Sequence, residues 1–346
     1  MQILVIYGGK IDRDSSLASA KAVISGLNKE NYHVVLVEIA SDFRWFSKLK
    51  KWTEEFNKRN TSALRTLKSG TFIPQVVAFP LLQGKYGEDG TIQGFLDTMN
   101  IPYIGSEVIG AALSMDKIKI KELLRFHHLP ILPFYTFTKT SWDKNKINIL
   151  KSMDRTFKSH YPLFIKPCNS TCSIGVSKAN KRPDIRSSVK YAFKYGEQII
   201  VEKGLNNLRE IEVFIVANSN NLLRCLFCGE VIVENMFQDY KAKHLDERKL
   251  IIPTNINDAL LSKIKNFAFQ AFQAINCVGY ARIDFFIEDN YKPYINEVTA
   301  NPAFNKTKKY FESMGKPELF NELLDELIRL AITKWYNKQE FLEFYI

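Results

Sequence analysis

A chain of 346 residues, 46% of them hydrophobic, can fill more than one core, so a folded, soluble protein of two or three domains is expected. The net charge of +11 invites a nucleic-acid reading, but the lysines are scattered along the chain without a recognisable nucleic-acid module, and a solvated basic surface accounts for them. No window approaches the ~20 apolar residues of a membrane helix, and the opening MQILVIYGGK has no basic segment before its apolar run, which predicts a cytoplasmic protein.

The first strand is predicted over Gln2–Gly9, QILVIYGG, and ends in two glycines. SSLASAKAVISGLNK follows with Leu17, Ala20, Ile24 and Leu27 at helical spacing, and YHVVLVEI reads as a second strand. This β-α-β opening implies a parallel sheet whose first loop, Lys10 to Ser15, lies at the carboxyl end of the strand, where open α/β sheets bind ligands. The G-x-G-x-x-G spacing is absent, so the glycine pair does not support a dinucleotide site. Phe43–Ser69, basic and aromatic, reads as a helix, and QVVAFPLL as another buried strand. Glycines 84, 87 and 90 make a structured loop before a short helix. ALSMDKIKIKELLRFHHLP reads as one helix closed by Pro130, with Lys117 in its first turns and His127 and His128 at its end in capping or solvated roles.

Phe134 to Val201 alternates short apolar strands with a helix and contains IKPCNSTCSIGVSK. A lysine, Lys166, stands there at the base of a small-residue loop around Gly175, a combination suited to phosphate although it lacks the Walker spacing. IIVEKGLNNLREIEVFIV reads as two strands around a turn, and LLRCLFCGEVIVE as a strand pair. The five cysteines, at 168, 172, 225, 228 and 277, lack the paired clusters of a structural zinc site, so Cys225 and Cys228 are taken as small apolar residues. DALLSKIKNFAFQAFQAIN is a helix with Leu260, Ile264, Phe267, Ala271 and Ile275 on one face. GYARIDFFIEDNYKPYINEV is a β-hairpin turned at Glu288, Asp289 and Asn290. Strand alternation puts Arg282 and Asp284 on one face, with Glu297 opposite on the return strand. Such a group is either a surface salt-bridge ladder or a pair of oxygen ligands for Mg²⁺ on nucleotide phosphates.

GGKIDRDSSLASAKAV, GEDGTIQGFLDTMNIPYIGS, ALSMDKIK, IKPCNSTCSIGVSK, VEKGL…REIEV, KAKHL, GYARIDFF and INEVTANPAFN stand in the order and at the spacings of the D-alanine:D-alanine ligases, an ATP-grasp family that the chain resembles from Met1 to about Arg329. The resemblance implies an α/β (α+β) fold of three domains: an N-terminal parallel α/β substrate domain, 1–105, and two domains with antiparallel sheets, 106–201 and 202–346, that sandwich ATP. It assigns Lys117 and Lys166 to the phosphates, the loop after Lys166 to a lid, Glu202, Lys203 and Leu205 to adenine, Glu210 to the ribose, and Lys243 to a further phosphate contact. Asp284 and Glu297 match magnesium ligands, with Mn²⁺ an alternative ion, and Arg282 the arginine beside the reacting carboxylate. Backbone N–H groups near Ala303 match an oxyanion site. In the family a carboxylate takes the γ-phosphoryl of ATP and the resulting acyl phosphate is attacked by an amine, in peptidoglycan precursor synthesis. The implied partners are small amino-acid or hydroxy-acid substrates and a second copy of the chain as a homodimer, with neither nucleic acid nor membrane.

The amino-acid half departs from the family pattern. Asp12 stands for the glutamate that holds the first ammonium, Gln83 for a histidine, Cys172 followed by Ser173 for the first serine of the lid pair, and His244 for a tyrosine. Thr299 stands for the asparagine that is the third metal ligand, Ala303 for the oxyanion glycine, and Lys308 for the serine near the acceptor's carboxylate. A histidine at the tyrosine position also occurs in ligases that join D-alanine to D-lactate, where a cationic imidazole repels an ammonium nucleophile. A D-alanine:D-alanine ligase, a ligase with altered substrates, and a nucleotide-binding relative without dipeptide synthesis are the readings to be separated.

Overall fold

The computed structural model describes residues 1–41, 64–66, 72–171, 173–205, 208–218, 220, 222–232, 249–252, 254–289 and 291–343. Three parallel strands open the chain: β1 (Gln2–Gly8), β2 (His33–Ile39) and, after the short antiparallel pair β3 (Leu64–Thr66) and β4 (Phe72–Pro74), β5 (Val76–Pro80). Their order is β2-β1-β5. Ile3, Leu4, Val5 and Ile6 are fully buried, as an unbroken apolar strand covered on both faces must be. Helix α1 (Arg13–Gly26) follows as predicted. The helix expected in Phe43–Ser69 falls outside the described residues, except where β3 lies. Gly8 has φ +101°, and a Cβ there would come within 2.5 Å of Ile39 O, so the turn requires glycine. Its N–H donates to Ser16 Oγ at 2.9 Å and that hydroxyl donates to Leu81 O at 2.8 Å, which fastens β1, α1 and the end of β5 together at the carboxyl edge of the sheet.

Helices α2 (Thr91–Thr98), α3 (Val108–Met115) and α4 (Lys117–Phe126) lead into the second sheet. The single helix expected around Lys117 is two. Asp116 is extended, at φ −92° and ψ 100°, and its carboxylate accepts from Ile118 N at 3.0 Å and Lys119 N at 2.9 Å. An aspartate makes a better helix start than a helix interior, so it restarts the helix and sets Lys117 at its first position. His127 is the cap at the far end.

The second sheet runs β6-β9-β7-β8 from β6 (Phe134–Thr138), β7 (Leu163–Pro167), β8 (Ser177–Ala179) and β9 (Gln198–Lys203), all antiparallel. Two helices, α5 (Lys139–Phe157) and α6 (Asp184–Ala192), cover it where one was expected. The third sheet, order β12-β11-β10-β13-β14, holds β10 (Arg209–Ala217), β11 (Leu223–Ile232), β12 (Lys249–Ile251), β13 (Tyr280–Glu288) and β14 (Lys292–Thr299). The strands β9 and β10, read as two strands around a turn, belong to different sheets, so that connection crosses between them.

LLRCLFCGEVIVE is one strand, not a pair. A bulge leaves Leu226 without a cross-strand partner, because Phe227 pairs with Phe214 and Cys225 with Ile215. The extra residue turns Cys225 and Cys228 to the same face, with their sulfurs 3.5 Å apart in the core packed by α7 (Asp258–Ala274). The helix buries Leu260, Ile264 and Ala271, and Ile275 at its cap, as the spacing requires.

Helices α8 (Phe304–Ser313) and α9 (Glu318–Glu343) end the chain by returning to its start. Phe304, Phe320, Leu324 and Leu327 share one core with Ile3, Val5 and Phe79. Beyond them Trp335 is buried, and its Nε1–H donates to Asn100 Oδ1 at 2.9 Å, while Lys338 pairs with Asp97 at 2.6 Å. No helix among the described residues is long and apolar enough to cross a membrane.

Candidate active site

Register across the third sheet sets three carboxylates side by side. Glu212 on β10 pairs with Asp284 on β13, and Asp284 pairs with Glu297 on β14. Acids in adjacent strand positions repel unless cations lie among them. Arg282, two residues from Asp284 on the same face, supplies one: its Nε and Nη2 donate to the two Asp284 oxygens at 2.7 and 2.8 Å, and its Nε lies 3.8 Å from Glu212. Lys306 Nζ comes within 3.7 Å of Glu212 and Lys117 Nζ within 3.8 Å of Glu297. Burial pushes the Asp284 carboxyl up to about 6 against the pull of Arg282, with Glu212 adding to the rise. Burial opposes the Arg282 charge, but Asp284 and Glu212 outweigh it and hold the guanidinium firmly protonated.

The facing wall is built by α4 and the second sheet. Lys117 and Lys121 stand one turn apart on α4. Lys117 Nζ donates to Ser170 O, in the loop that follows Lys166. Lys121 and Lys166 both reach Glu202 on β9, at 2.7 Å and 2.5 Å. Burial alone would lift the Glu202 carboxyl, but the two ammonium groups hold it at about 2. Burial pulls the Lys121 ammonium below its ordinary value, against the stabilising charge of Glu202. Beside this group Lys203 lies 3.9 Å from Glu288, Leu205 is buried, and Glu210 is half-buried at the start of β10. Of the residues expected to hold the nucleotide, Lys166 and Glu202 are paired, Lys117 reaches the loop after Lys166, and Lys243 lies outside the described residues.

The residues expected on the amino-acid side lie in loops and helices. Asp12 is in the left-handed region at φ 46° and caps α1, its carboxylate accepting from Ser15 N at 3.4 Å. Gln83 belongs to a loop in which Glu88 accepts from Gly84 N at 2.5 Å. Burial pushes Glu88 up to about 7; the Gly84 N–H works against this, and the negative charges of Glu297 and Asp12 add to it. Ser173 is left-handed at φ 59° in the loop before β8, whereas Cys172 and His244 lie outside the described residues. Ala303 is the N-cap of α8, and its side chain makes no cap bond. Lys308, one turn along, pairs with Glu312 of the same helix. Thr299 pairs across the sheet with Arg282. Asn301 is turned away, its Oδ1 accepting from Ser106 N at 3.1 Å.

Three residues of this cluster escape the sequence reading. Lys121 repeats Lys117 at i+4, Glu212 repeats Glu210 at i+2, and Glu88 stands between the loop glycines, so each had a positional signal.

Among the described residues no three His, Cys, Asp or Glu side chains are grouped as a self-sufficient metal site. Asp284 and Glu297 offer hard oxygen donors, and Mg²⁺ commonly takes one or two carboxylates and completes its shell with phosphate oxygens and water. The donor set fits that ion.

A parallel sheet beside two antiparallel sheets, with lysines and carboxylates meeting where the latter face each other, defines an ATP-grasp enzyme, an ATP-dependent ligase. The sequence profile of the D-ala D-ala ligase N-terminus matches residues 2–106 and that of the D-ala D-ala ligase C-terminus matches residues 123–329. The chain belongs to the D-alanine:D-alanine ligase family. Among solved structures, the D-alanine-D-alanine ligase from Coxiella burnetii is 24% identical over 100% of this chain and 99% of that one, with a TM-score of 0.77. VanG D-Ala:D-Ser ligase from Enterococcus faecalis is 25% identical over 96% of this chain and 99% of that one, with a TM-score of 0.75. The Bacillus anthracis D-alanine-D-alanine ligase complexed with ATP is 22% identical over 98% and 99%, with a TM-score of 0.73.

Proposed function

We propose that the protein joins two small D-configured acids in cell-wall precursor synthesis, with D-alanyl-D-alanine as the default product. The observation that carries this reading is the row Glu212, Asp284 and Glu297 with Arg282 among them, opposite Lys117 and Lys166. A protein that only binds nucleotide has no need of an arginine set among acids beside the phosphate lysines.

Lys117 and Lys166 orient and neutralise the triphosphate, so that the γ-phosphoryl passes in line to the donor carboxylate. Asp284 and Glu297 would hold Mg²⁺, which supplies charge neutralisation at the phosphates when bound. Arg282, held bidentately by Asp284, is the guanidinium that would face the reacting carboxylate. When the second substrate attacks the acyl phosphate, Arg282 and the backbone N–H groups after Ala303, the N-cap of α8, stabilise the tetrahedral oxyanion. Asp12 stands at the donor's ammonium, with Ser173 and Cys172 in the lid; Glu202, Lys203, Leu205 and Glu210 read the nucleoside, and Lys243 adds a phosphate contact. Thr299 is the third, weaker metal ligand. We further propose domains near 1–105, 106–201 and 202–346, a cytoplasmic location and a homodimer.

Lys308 and His244 favour a second reading, in which the acceptor is a hydroxy acid or carries an extra carboxylate, because a cation near the acceptor repels an ammonium nucleophile. Phosphate release from purified protein with ATP, Mg²⁺ and a panel of D- and L-amino and hydroxy acids tests the ligase. Product analysis with D-alanine together with D-lactate, a hydroxy acid, across pH 6 to 9 separates the two readings. Efficient D-alanyl-D-alanine synthesis, unchanged by Lys308→Ser and His244→Tyr, removes the second one. Hydroxy-acid product that gives way to dipeptide as pH rises, as His244 loses its proton, supports it.

A further inference from the structure

Glu202 is held by two lysines of unlike standing. Lys121 has 3% of its side chain exposed, lies 2.7 Å from Glu202 Oε1, and also donates to Asn296 O at 3.3 Å, next to Glu297 on β14. Lys166 has 16% exposed, lies 2.5 Å from Oε2, and stands at the base of the loop that leads to Ser173. One ammonium is therefore fixed between α4, the second sheet and the third. The other is on the open side of the same carboxylate.

We infer that Lys121 is a positioning residue that keeps Glu202 ionised and in place so that Lys166 can leave it for a nucleotide phosphate, an inference that rests on the reading of Lys166 as a phosphate lysine. A triphosphate competes with Glu202 for Lys166. If Lys166 were the carboxylate's sole partner, its departure would strand a buried, uncompensated charge, and the protein would resist the exchange by locking Lys166 where it is. With Lys121 fixed on the other oxygen, Glu202 is compensated before and after, and the exchange gives up one of two ion pairs. The backbone contact to Asn296 O explains why Lys121 is the partner that stays.

Calorimetry with Mg-ATP and with adenosine tests this on wild type, Lys121→Met, which keeps the length of the stem, and Lys121→Arg, which keeps the charge. Lys121→Met is expected to bind ATP at least tenfold more weakly and adenosine within threefold of wild type. The KM for ATP rises while kcat at saturating ATP stays within threefold, and Lys121→Arg recovers most of the loss. Unchanged ATP affinity in a folded Lys121→Met overturns the inference, and so does an equal loss for ATP and adenosine, which would mean that the lysine only shapes the pocket. Should Lys121→Met not fold, the comparison moves to Glu202→Gln with and without Lys121→Met, a background holding no buried carboxylate to strand. There Lys121→Met is expected to leave the ratio of ATP to adenosine affinity unchanged, and a falling ratio overturns the inference. Failure of the wild type to bind ATP would instead overturn the assignment of the nucleotide site.

Discussion

The two sides of the active site are built by different means. On the nucleotide side, Glu202, Glu212, Asp284 and Glu297 project from paired strands, and hydrogen-bonded register fixes their neighbours. On the amino-acid side, Asp12 caps a helix, Ser173 sits in a left-handed turn and Lys308 pairs within its own helix. A strand position cannot change its cross-strand partner without shifting the whole strand, whereas a cap or loop residue can be replaced locally. The departures from the family pattern gather on the second side for that reason. On the proposed reading, the chemistry common to ATP-dependent ligation rests mainly on strands, with Lys117 at a helix start, and the choice of acids on caps, loops and α8.

The largest test of this contrast is to break the sheet side. Lys166→Ala and Asp284→Asn should each lower phosphate release by a hundredfold or more, about 3 kcal/mol of barrier, while circular dichroism stays that of the folded protein. Normal turnover in both would remove the assignment. Glu88 joins the two sides, and its test is of stability. Its carboxyl is raised from 4.5 to about 7, so the stability linked to it is present below pH 4.5 and lost as pH rises through 7. Glu88→Gln should therefore unfold at higher temperature than wild type at pH 8 and at the same temperature at pH 4. The gain is about 1–2 kcal/mol, less than the ~3 of a fully enclosed group because Glu88 is partly exposed.

Smaller effects sharpen the contrast where the sheet side itself departs from the family. Thr299→Asn puts a longer oxygen-bearing arm beside Asp284 and Glu297 and should lower the Mg²⁺ concentration for half-maximal activity several-fold. An unchanged requirement would mean that water completes the shell, since Asn301 Oδ1 is already held by Ser106 N–H. Lys308→Ser has the smallest expected effect on stability, under about 0.5 kcal/mol by thermal unfolding, because its partner Glu312 is an i,i+4 neighbour on a partly exposed helix face. A larger loss would show that Lys308 holds more of α8 than that pair.

What the sequence made legible follows the same division. Alternation in GYARIDFFIEDNYKPYINEV sets Arg282 and Asp284 on one face, but Glu297 comes opposite Asp284 only because a bulge at Asn296 shifts the register between Asp284 and Phe285. Alternation did not disclose Glu212, since pairing between β10 and β13 joins positions 72 residues apart (284 − 212) and leaves no local trace. The helix around Lys117 was misread as continuous because periodicity runs through Asp116, and a capping aspartate looks like any polar residue until its carboxylate meets the next N–H groups. In LLRCLFCGEVIVE a bulge has the same outline as a turn, an interruption of alternation, and the partner strand alone decides between them.

The return of α8 and α9 to the beginning of the chain has a consequence for how the protein is made. Ile3, Val5 and Phe79 are packed by Phe304, Phe320, Leu324 and Leu327, which lie more than two hundred residues further along the chain. A nascent chain of the first hundred residues thus has a sheet with one face covered by α1 alone, and must wait for some two hundred more to emerge before α8 and α9 complete the cover. Synthesis at about 5–20 residues per second makes that wait roughly ten to forty seconds. During this interval the N-terminal segment depends on chaperones or on its own slowness to collapse, and the arrival of α8 and α9, not the completion of the first sheet, sets the moment at which this core closes.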